Sequence, residues 1–260
     1  MEPLTFFTTP RPHEGRDGRN ERDFRNAVRT WMRLEPTPEV IVFGGDRRIA
    51  EEEGARHVGF HPCNERGLPY VDAMFRIAEQ VSSNDIMVYT SDHLMFTKDV
   101  TTSLVRVLRS FYHGFVIIGQ RTNTAMDRLI DFDDEKWEDR LRAQAGRAGA
   151  LQGPSAKDYI IFRRPLELDI PPFVAGRPGW DSWIVRAALN AGIHVLDATR
   201  SIMAIHAYHD LIVLDEEREQ GQDTVYNYSL CAAEELRGAM TDDATWVMTD
   251  KWIREKKEGK

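Results

Sequence analysis

The residues best suited to chemistry lie in two places along the chain. In the first half, Thr90–Ser91–Asp92–His93 follows an apolar, β-prone run, so Asp92 stands at the C-terminal end of a strand. A hard divalent ion takes carboxylate oxygen and keeps positions open for phosphate oxygens, so a strand-end Asp suits an ion held against a diphosphate. The other reading of Asp92 is a cap on the turn after the strand. In the second half, PPFVAGRPGWDSW leads through a glycine-rich loop to Gly179, Trp180 and Asp181. A helix follows, with Trp183, Ile184, Ala187, Ala188 and Ala191 at the 3.6-residue period and Gly192 placed to end it. Asp181 reads either as the N-cap of that helix or as a general base within reach of a substrate hydroxyl; one carboxylate can do both. Trp180 reads either as core or as a flat surface for a sugar face. A later apolar run, Ile202 to Ile205, delivers His206 and His209. Imidazole is acceptable to Mn²⁺ more than to Mg²⁺ or Ca²⁺. The alternative is a pair of histidines satisfied by backbone groups, since an i, i+3 spacing is not by itself a metal motif.

The elements that must position these residues alternate. Strands are predicted at Leu4 to Thr8, Val40 to Phe43, Val58 to Phe60, Asp85 to Tyr89, Phe115 to Gly119, Tyr159 to Phe162 and near Val195–Leu196. Helices are predicted from Glu21 to before Pro36, over Arg48 to Gly54, Tyr70 to Val81, Thr101 to Phe111, Asp127 to Ala148 and from Val225 to Leu236. Such alternation argues an α/β fold with a mixed, mostly parallel sheet flanked by helices. Ligands of open α/β sheets bind outside the carboxyl ends of the strands. Those ends carry Thr9–Pro10–Arg11, Asp46, a loop with Asn64 and Arg66, Asp92, and Gln120–Arg121. Together they outline a rim for a nucleotide and its phosphates. There is no GxGxxG after a strand and no GxxxxGK[ST], which argues against dinucleotide and P-loop sites.

Composition narrows the class further. The 260 residues suit one large α/β domain, and the formal charge of −8 disfavours nucleic acid as partner or acceptor, which needs clustered Lys and Arg. Cys63 and Cys231 fit no metal spacing and read as free thiols. No apolar run approaches the ~20 residues of a membrane span, and no signal-peptide pattern opens the chain. A soluble, cytoplasmic protein is expected.

In chain order, GGD after the second strand, Asp92–His93–Leu94–Met95, GQR, Asp158–Tyr159, PPFVAGRPGWDSW, LDAT, AIHAYHD, Asn227 and Asp243–Ala244–Thr245–Trp246 resemble a GT-A-type glycosyltransferase-like family over roughly residues 3 to 250. The resemblance implies a single GT-A-like (Rossmann-like) domain over 1–214 with a small C-terminal helical extension over 215–260. It implies a hexosyl or pentosyl transferase that moves a sugar from a nucleoside diphosphate sugar, such as a UDP-sugar, to a glycan or other hydroxyl-bearing acceptor, with inversion and with Mn²⁺ or Mg²⁺. On that pattern Asp92 with His206 or His209 holds the metal, and Asp181 is the base. Thr9, Pro10, Arg11, Asp46, Asn64 and Arg66 line the nucleotide. Gln120, Arg121, Asp158, Gly179 and Trp180 line donor and acceptor. The family's metal motif has two carboxylates, whereas Thr90–Ser91–Asp92 has one. The alternatives are a sugar-1-phosphate nucleotidyltransferase, for which TTPRPHEGRDGR is a poor phosphate loop, and a GT-A domain that binds nucleotide or glycan without turnover.

Overall fold

A computed structural model describes residues 2–10, 18–59, 61–111, 114–208, 221–232 and 239–256. The elements in order are β1 (Leu4–Thr8), α1 (Arg19–Trp31), β2 (Glu39–Phe43), α2 (Arg47–Glu52), β3 (Arg56–Val58), α3 (Val71–Val81), β4 (Ile86–Thr90), β5 (Leu94–Met95), α4 (Asp99–Ser110), β6 (Phe115–Ile118) and β7 (Arg121–Ala125). Then come α5 (Trp137–Ala148), β8 (Ala150–Leu151), β9 (Tyr159–Arg163), α6 (Trp180–Asn190), β10 (His194–Arg200), β11 (Ala204–Tyr208), α7 (Gln222–Ser229), β12 (Trp246–Thr249) and β13 (Ile253–Glu255).

The main sheet has nine strands in the order β13-β12-β10-β6-β9-β4-β1-β2-β3. All run one way except β9, antiparallel to both β4 and β6, and β13, antiparallel to β12. The central strands are buried along almost their whole length and are mostly apolar, as suits strands covered on both faces. Successive side chains of β1 go to opposite layers. Phe6 stacks on Trp31 of α1 at 5.1 Å, while Phe7 meets Phe75 of α3 edge-on at 4.9 Å. A second sheet of four strands, β5-β11-β7-β8, carries β11 parallel to β7 and antiparallel to β5. This small sheet brings the second half of the chain to the end of β4.

Two expectations change. The helix predicted over 127–148 begins only at Trp137. Before it, Asp131 accepts from the amide of Asp133 and Asp134 from that of Lys136, so the aspartates cap turns and compete with helix formation. The C-terminal extension, expected to be helical, supplies α7 but also β12 and β13, and β12 joins the main sheet parallel to β10. Short strands of three and four residues leave no periodicity long enough to read.

Beside α2, Glu53 receives Arg25 at 2.5 Å and Arg29 at 2.7 Å, tying α1 to α2. Burial alone would raise the Glu53 carboxyl, but the hydrogen bonds from Arg29 and Arg25 outweigh it and hold it below the ordinary value. A carboxyl lowered in the folded state adds stability above its unfolded value, near ~4.3, and that stability is lost as pH falls through the folded value. Glu53→Gln is therefore expected to cost about 1.5–3 kcal/mol at neutral pH, the range for hydrogen bonds to charged groups. The gap in melting temperature between variant and wild type should narrow as pH falls through the acid range. Melting curves at a series of pH values check this; a gap independent of pH would remove Glu53 from the account.

Candidate active site

The first strand ends pack against each other through glycine. Gly44 and Gly45 both have φ of 70°. A Cβ on Gly45 would lie 2.3 Å from Cγ of Pro10, so the turn after β2 sits directly on the turn after β1. Asp46 at this edge caps α2, accepting from the amides of Arg48 at 2.8 Å and Ile49 at 3.4 Å. Thr9 and Pro10 lie beside it, half-buried; Arg11 falls outside the described residues. Asn64 and Arg66 have other work. Asn64 accepts from the amides of Arg66 and Leu68, and its amide group donates to Asp223 at 3.0 Å. Arg66 reaches Gln222 and Asp223. Their loop thus holds α7 in place, while the Arg66 side chain stays half-exposed.

At the end of β4, Asp92 and His206 are brought close, with His93 standing between them. Oδ1 of Asp92 is 2.6 Å from Nδ1 of His93, and Nε2 of His93 is 2.5 Å from Nε2 of His206. All three are buried, at 2%, 8% and 3% exposure. His206 is positioned by β11, which pairs it with Leu94 of β5 and Asn123 of β7. The three side chains form a row, not a ring: among the described residues no three His, Cys, Asp or Glu groups converge as a ready metal shell. As a donor set the row still fits an ion that takes most of its ligands from a diphosphate. It offers imidazole nitrogen and carboxylate oxygen, a mixture that suits Mn²⁺. His209 lies outside the described residues.

The remaining carboxylates are tied to this row by the dipeptide Lys157–Asp158, just before β9. Asp158 pairs with Arg121 at the start of β7 at 2.5 Å, and its carbonyl accepts from the amide of Ser91 at 3.0 Å. Lys157 points the other way. Its side chain is 1% exposed, and Nζ lies 3.2 Å from Oδ2 of Asp181, with the carbonyl of Ser155 and the hydroxyl of Ser182 also in reach. One dipeptide thus links the loop before Asp92, the start of β7 and the start of α6. The convergence registers on Tyr89 of β4. Its phenol is pushed up by burial and, less, by the charges of Asp158, Asp92 and Asp181.

Two open readings at α6 are narrowed. Asp181 is not the N-cap. Gly179 holds that position at φ 108°, without a side-chain cap, and Asp181 is inside the first turn. Its carboxylate is engaged by Lys157, not by the helix amides, and is 21% exposed. Of its two readings, Trp180 follows the core one: it is 6% exposed and packs edge-on against Tyr89 at 4.8 Å. The glycine loop before it is clamped by α7. Asn227, fully buried, accepts from the amide of Val174 and donates to the carbonyls of Val174 and Pro178. The LDAT segment is structural as well. Asp197 accepts from the amide and hydroxyl of Thr199, and that hydroxyl accepts from the amide of Gln120. Gln120 then reaches Thr241.

Sequence reading missed His93, Lys157 and Ser91 as site residues. His93 had a signal, being a histidine between Asp92 and a buried apolar pair. Lys157 had none, since a lysine before a strand is ordinarily a solvated one.

No protein-family model and no curated protein matches the sequence. Among solved structures, the chain is similar to glucosyl-3-phosphoglycerate synthase from Mycobacterium tuberculosis. The complex of that enzyme with phosphoglyceric acid is 15% identical with a TM-score of 0.51, covering 89% of this chain and 82% of that one. Its complex with Mn²⁺, UDP and phosphoglyceric acid is 16% identical with a TM-score of 0.50, covering 89% and 80%. At such identity the likeness is one of fold, and it agrees with the strand order and the layers described above. The chain has a GT-A-like fold.

Proposed function

We propose that this chain is a glycosyltransferase that moves a sugar from a nucleoside diphosphate sugar to an acceptor hydroxyl with inversion. The observation that carries the reading is the set of contacts at the end of β4 in a GT-A sheet: the row Asp92–His93–His206, and the dipeptide Lys157–Asp158, which joins Ser91 and Arg121 to Asp181. The solved complexes of the mycobacterial neighbour hold Mn²⁺ with UDP or UDP-glucose, which supports a donor of the same class here.

In this reading the nucleotide lies along Thr9, Pro10 and Asp46, and the diphosphate lies toward Asp92, His93 and His206. A divalent ion bound there supplies positive charge against the leaving diphosphate, the largest electrostatic need of the transition state. Arg121 and Asp158 border the sugar, with Gln120 and Gly179 flanking it. Asp181 takes the proton of the acceptor hydroxyl. The acceptor oxygen forms its bond to the anomeric carbon from the face opposite the breaking bond to the diphosphate. Lys157 fixes one carboxylate oxygen of Asp181 and leaves the other for the proton. Among the described residues no helix is long and apolar enough to cross a membrane.

The test is binding. With Mn²⁺ present, one of UDP, GDP, CDP and TDP should raise the melting temperature. A ligand at 100 times its Kd adds ~2.7 kcal/mol, or about 5–10 °C for a domain of this size. If none of the four shifts the transition at millimolar concentration, the reading fails at its root.

A further inference from the structure

We propose that the acceptor carries an oxyanion, a phosphate or a carboxylate, and that Arg177 and Arg66 bind it in competition with Asp223 of α7. The inference rests on the transferase reading and names the chemical class of its acceptor.

Three segments meet on the Asp223 carboxylate. Its Oδ1 accepts from Asn64 at 3.0 Å. Its Oδ2 faces two guanidiniums, Nη1 of Arg66 at 3.5 Å and Nε of Arg177 at 3.7 Å. Charge-assisted N–H···O contacts close to ~2.7–2.9 Å, so neither arginine has closed on this oxygen. The pair beside α2 shows the contrast: there Arg25 and Arg29 also share one carboxylate, Glu53, and both are closed, at 2.5 and 2.7 Å. A guanidinium carries five donors. Arg66 spends another on Gln222 at 3.2 Å, and Arg177 one on the carbonyl of Gly176 at 3.4 Å. Nε of Arg177 is buried without a hydrogen bond. Two cations thus share one loosely held anion, in a chain whose formal charge is −8. Their place in the fold selects the ligand. Arg177 stands on the loop that ends at Gly179, the N-cap of α6, four residues ahead of Asp181. The loop after β3 that carries Arg66 is joined to that same loop, Tyr70 bridging to Val174 and the carbonyl of Pro69 accepting from the amide of Ala175. The donor's diphosphate is assigned to the end of β4, whereas these arginines border the loop that presents the base, where an acceptor must come. A guanidinium fork matches phosphate or carboxylate geometry, and an oxyanion here takes over the donors that Asp223 meets only at long range. Tyr226, three residues on from Asp223 and so on the same face of α7, exposes its ring beside them, an apolar surface for the body of the acceptor.

The experiment titrates the full chain by calorimetry with glycerol 3-phosphate, lactate and glycerol, each alone and then with UDP, GDP, CDP or TDP and Mn²⁺. At least one of the two anions should bind and glycerol should not. Arg177→Gln and Arg66→Gln should each weaken the anion about 10–100-fold, the worth of a charge-assisted hydrogen bond. Asp223→Asn keeps an oxygen for Asn64 and removes the competing charge, so it should tighten the anion about 2–5-fold, the size of one half-exposed charge contact. If the three side chains only dock α7, the sign is reversed, because a looser α7 can only weaken binding. That sign is read without either arginine variant, so one that fails to fold decides nothing. The arginine variants should leave nucleoside diphosphate affinity within a few-fold of wild type, and the anion should bind alongside the nucleotide. No binding of either anion at tens of millimolar, an Asp223→Asn protein that binds the anion no more tightly than wild type, or displacement of the anion by the nucleoside diphosphate overturns the inference; the last assigns the arginines to the donor. A chain that binds a nucleoside diphosphate and neither anion keeps the transferase reading and loses this site. One that binds the anion through both arginines and no nucleoside diphosphate keeps the site and loses the transferase reading.

Discussion

Replacing Asp181 with Asn is expected to lower sugar transfer by about 10²–10⁴-fold, the usual contribution of a positioned general base. The amide keeps the size of the carboxylate and cannot take a proton. Its carbonyl oxygen can still accept from Nζ of Lys157, which sits 3.2 Å from the native carboxylate. Nucleoside diphosphate affinity should change only a few-fold, because the proposed nucleotide site lies along the turns after β1 and β2. Stability will not be untouched, as it would be for a simple cap. Asp181 sits inside the first turn of α6, and its partner Lys157 is buried. Removing the negative charge leaves the buried ammonium with neutral partners alone, the new amide oxygen, Ser155 and Ser182, so a loss of about 1–3 kcal/mol is expected, the range for an impaired buried hydrogen bond. Melting temperature and turnover must therefore be measured on the same preparation and turnover expressed per folded molecule. An Asp181→Asn protein that transfers sugar within a few-fold of wild type would leave Asp181 as a structural partner of Lys157 alone.

What the sequence made legible follows from what each signal depends on. The long apolar runs of β2, β4 and β9 and the periodic faces of α1, α3, α4 and α6 are local properties, and they placed Asp92 at a strand end and Asp181 at a helix start. The small sheet was not legible. β5 and β8 have two residues each, and β7 is the polar run RTNTA, so nothing in their patterns distinguishes them from loop. Yet that sheet is what carries His206 to His93. For the same reason the row Asp92–His93–His206 was seen only as its two ends. A contact between residues 113 positions apart depends on strand register, which no local period encodes. Asp46 shows the opposite limit. Its placement at a strand end suggested a ligand contact, but Asp before a helix is first of all an N-cap: the amides of Arg48 and Ile49 take Oδ1, and only Oδ2 is left for the proposed nucleotide contact. Asn64 and Arg66 likewise look like free rim residues until α7 is seen to dock on them.

The second large effect is expected at Lys157, and it separates positioning from simple packing. Lys157→Met keeps the length of the side chain and removes the ammonium. Asp181, one-fifth exposed, then loses the contact that fixes Oδ2. A misplacement of about 1 Å in a reacting group can cost ~10²-fold, so kcat should fall about 10–100-fold while KM for the donor changes little. Lys157→Arg, which keeps the charge in a crowded space, should recover part of the loss. Stability alone cannot explain such a pattern, since unfolding lowers the amount of active enzyme and leaves KM and per-molecule kcat as they were. The decisive comparison is the double variant. If Lys157 acts through Asp181, Lys157→Met should add nothing to the rate loss of Asp181→Asn, because the group it positions no longer takes the proton. If it contacts the diphosphate or the sugar itself, the two losses should multiply, as independent effects do. A Lys157→Met/Asp181→Asn protein about 10–100-fold slower than Asp181→Asn would therefore reassign Lys157 from the base to the substrate. One no slower would fix the crossbar Lys157–Asp158 as the part that holds Asp181 in register with the end of β4.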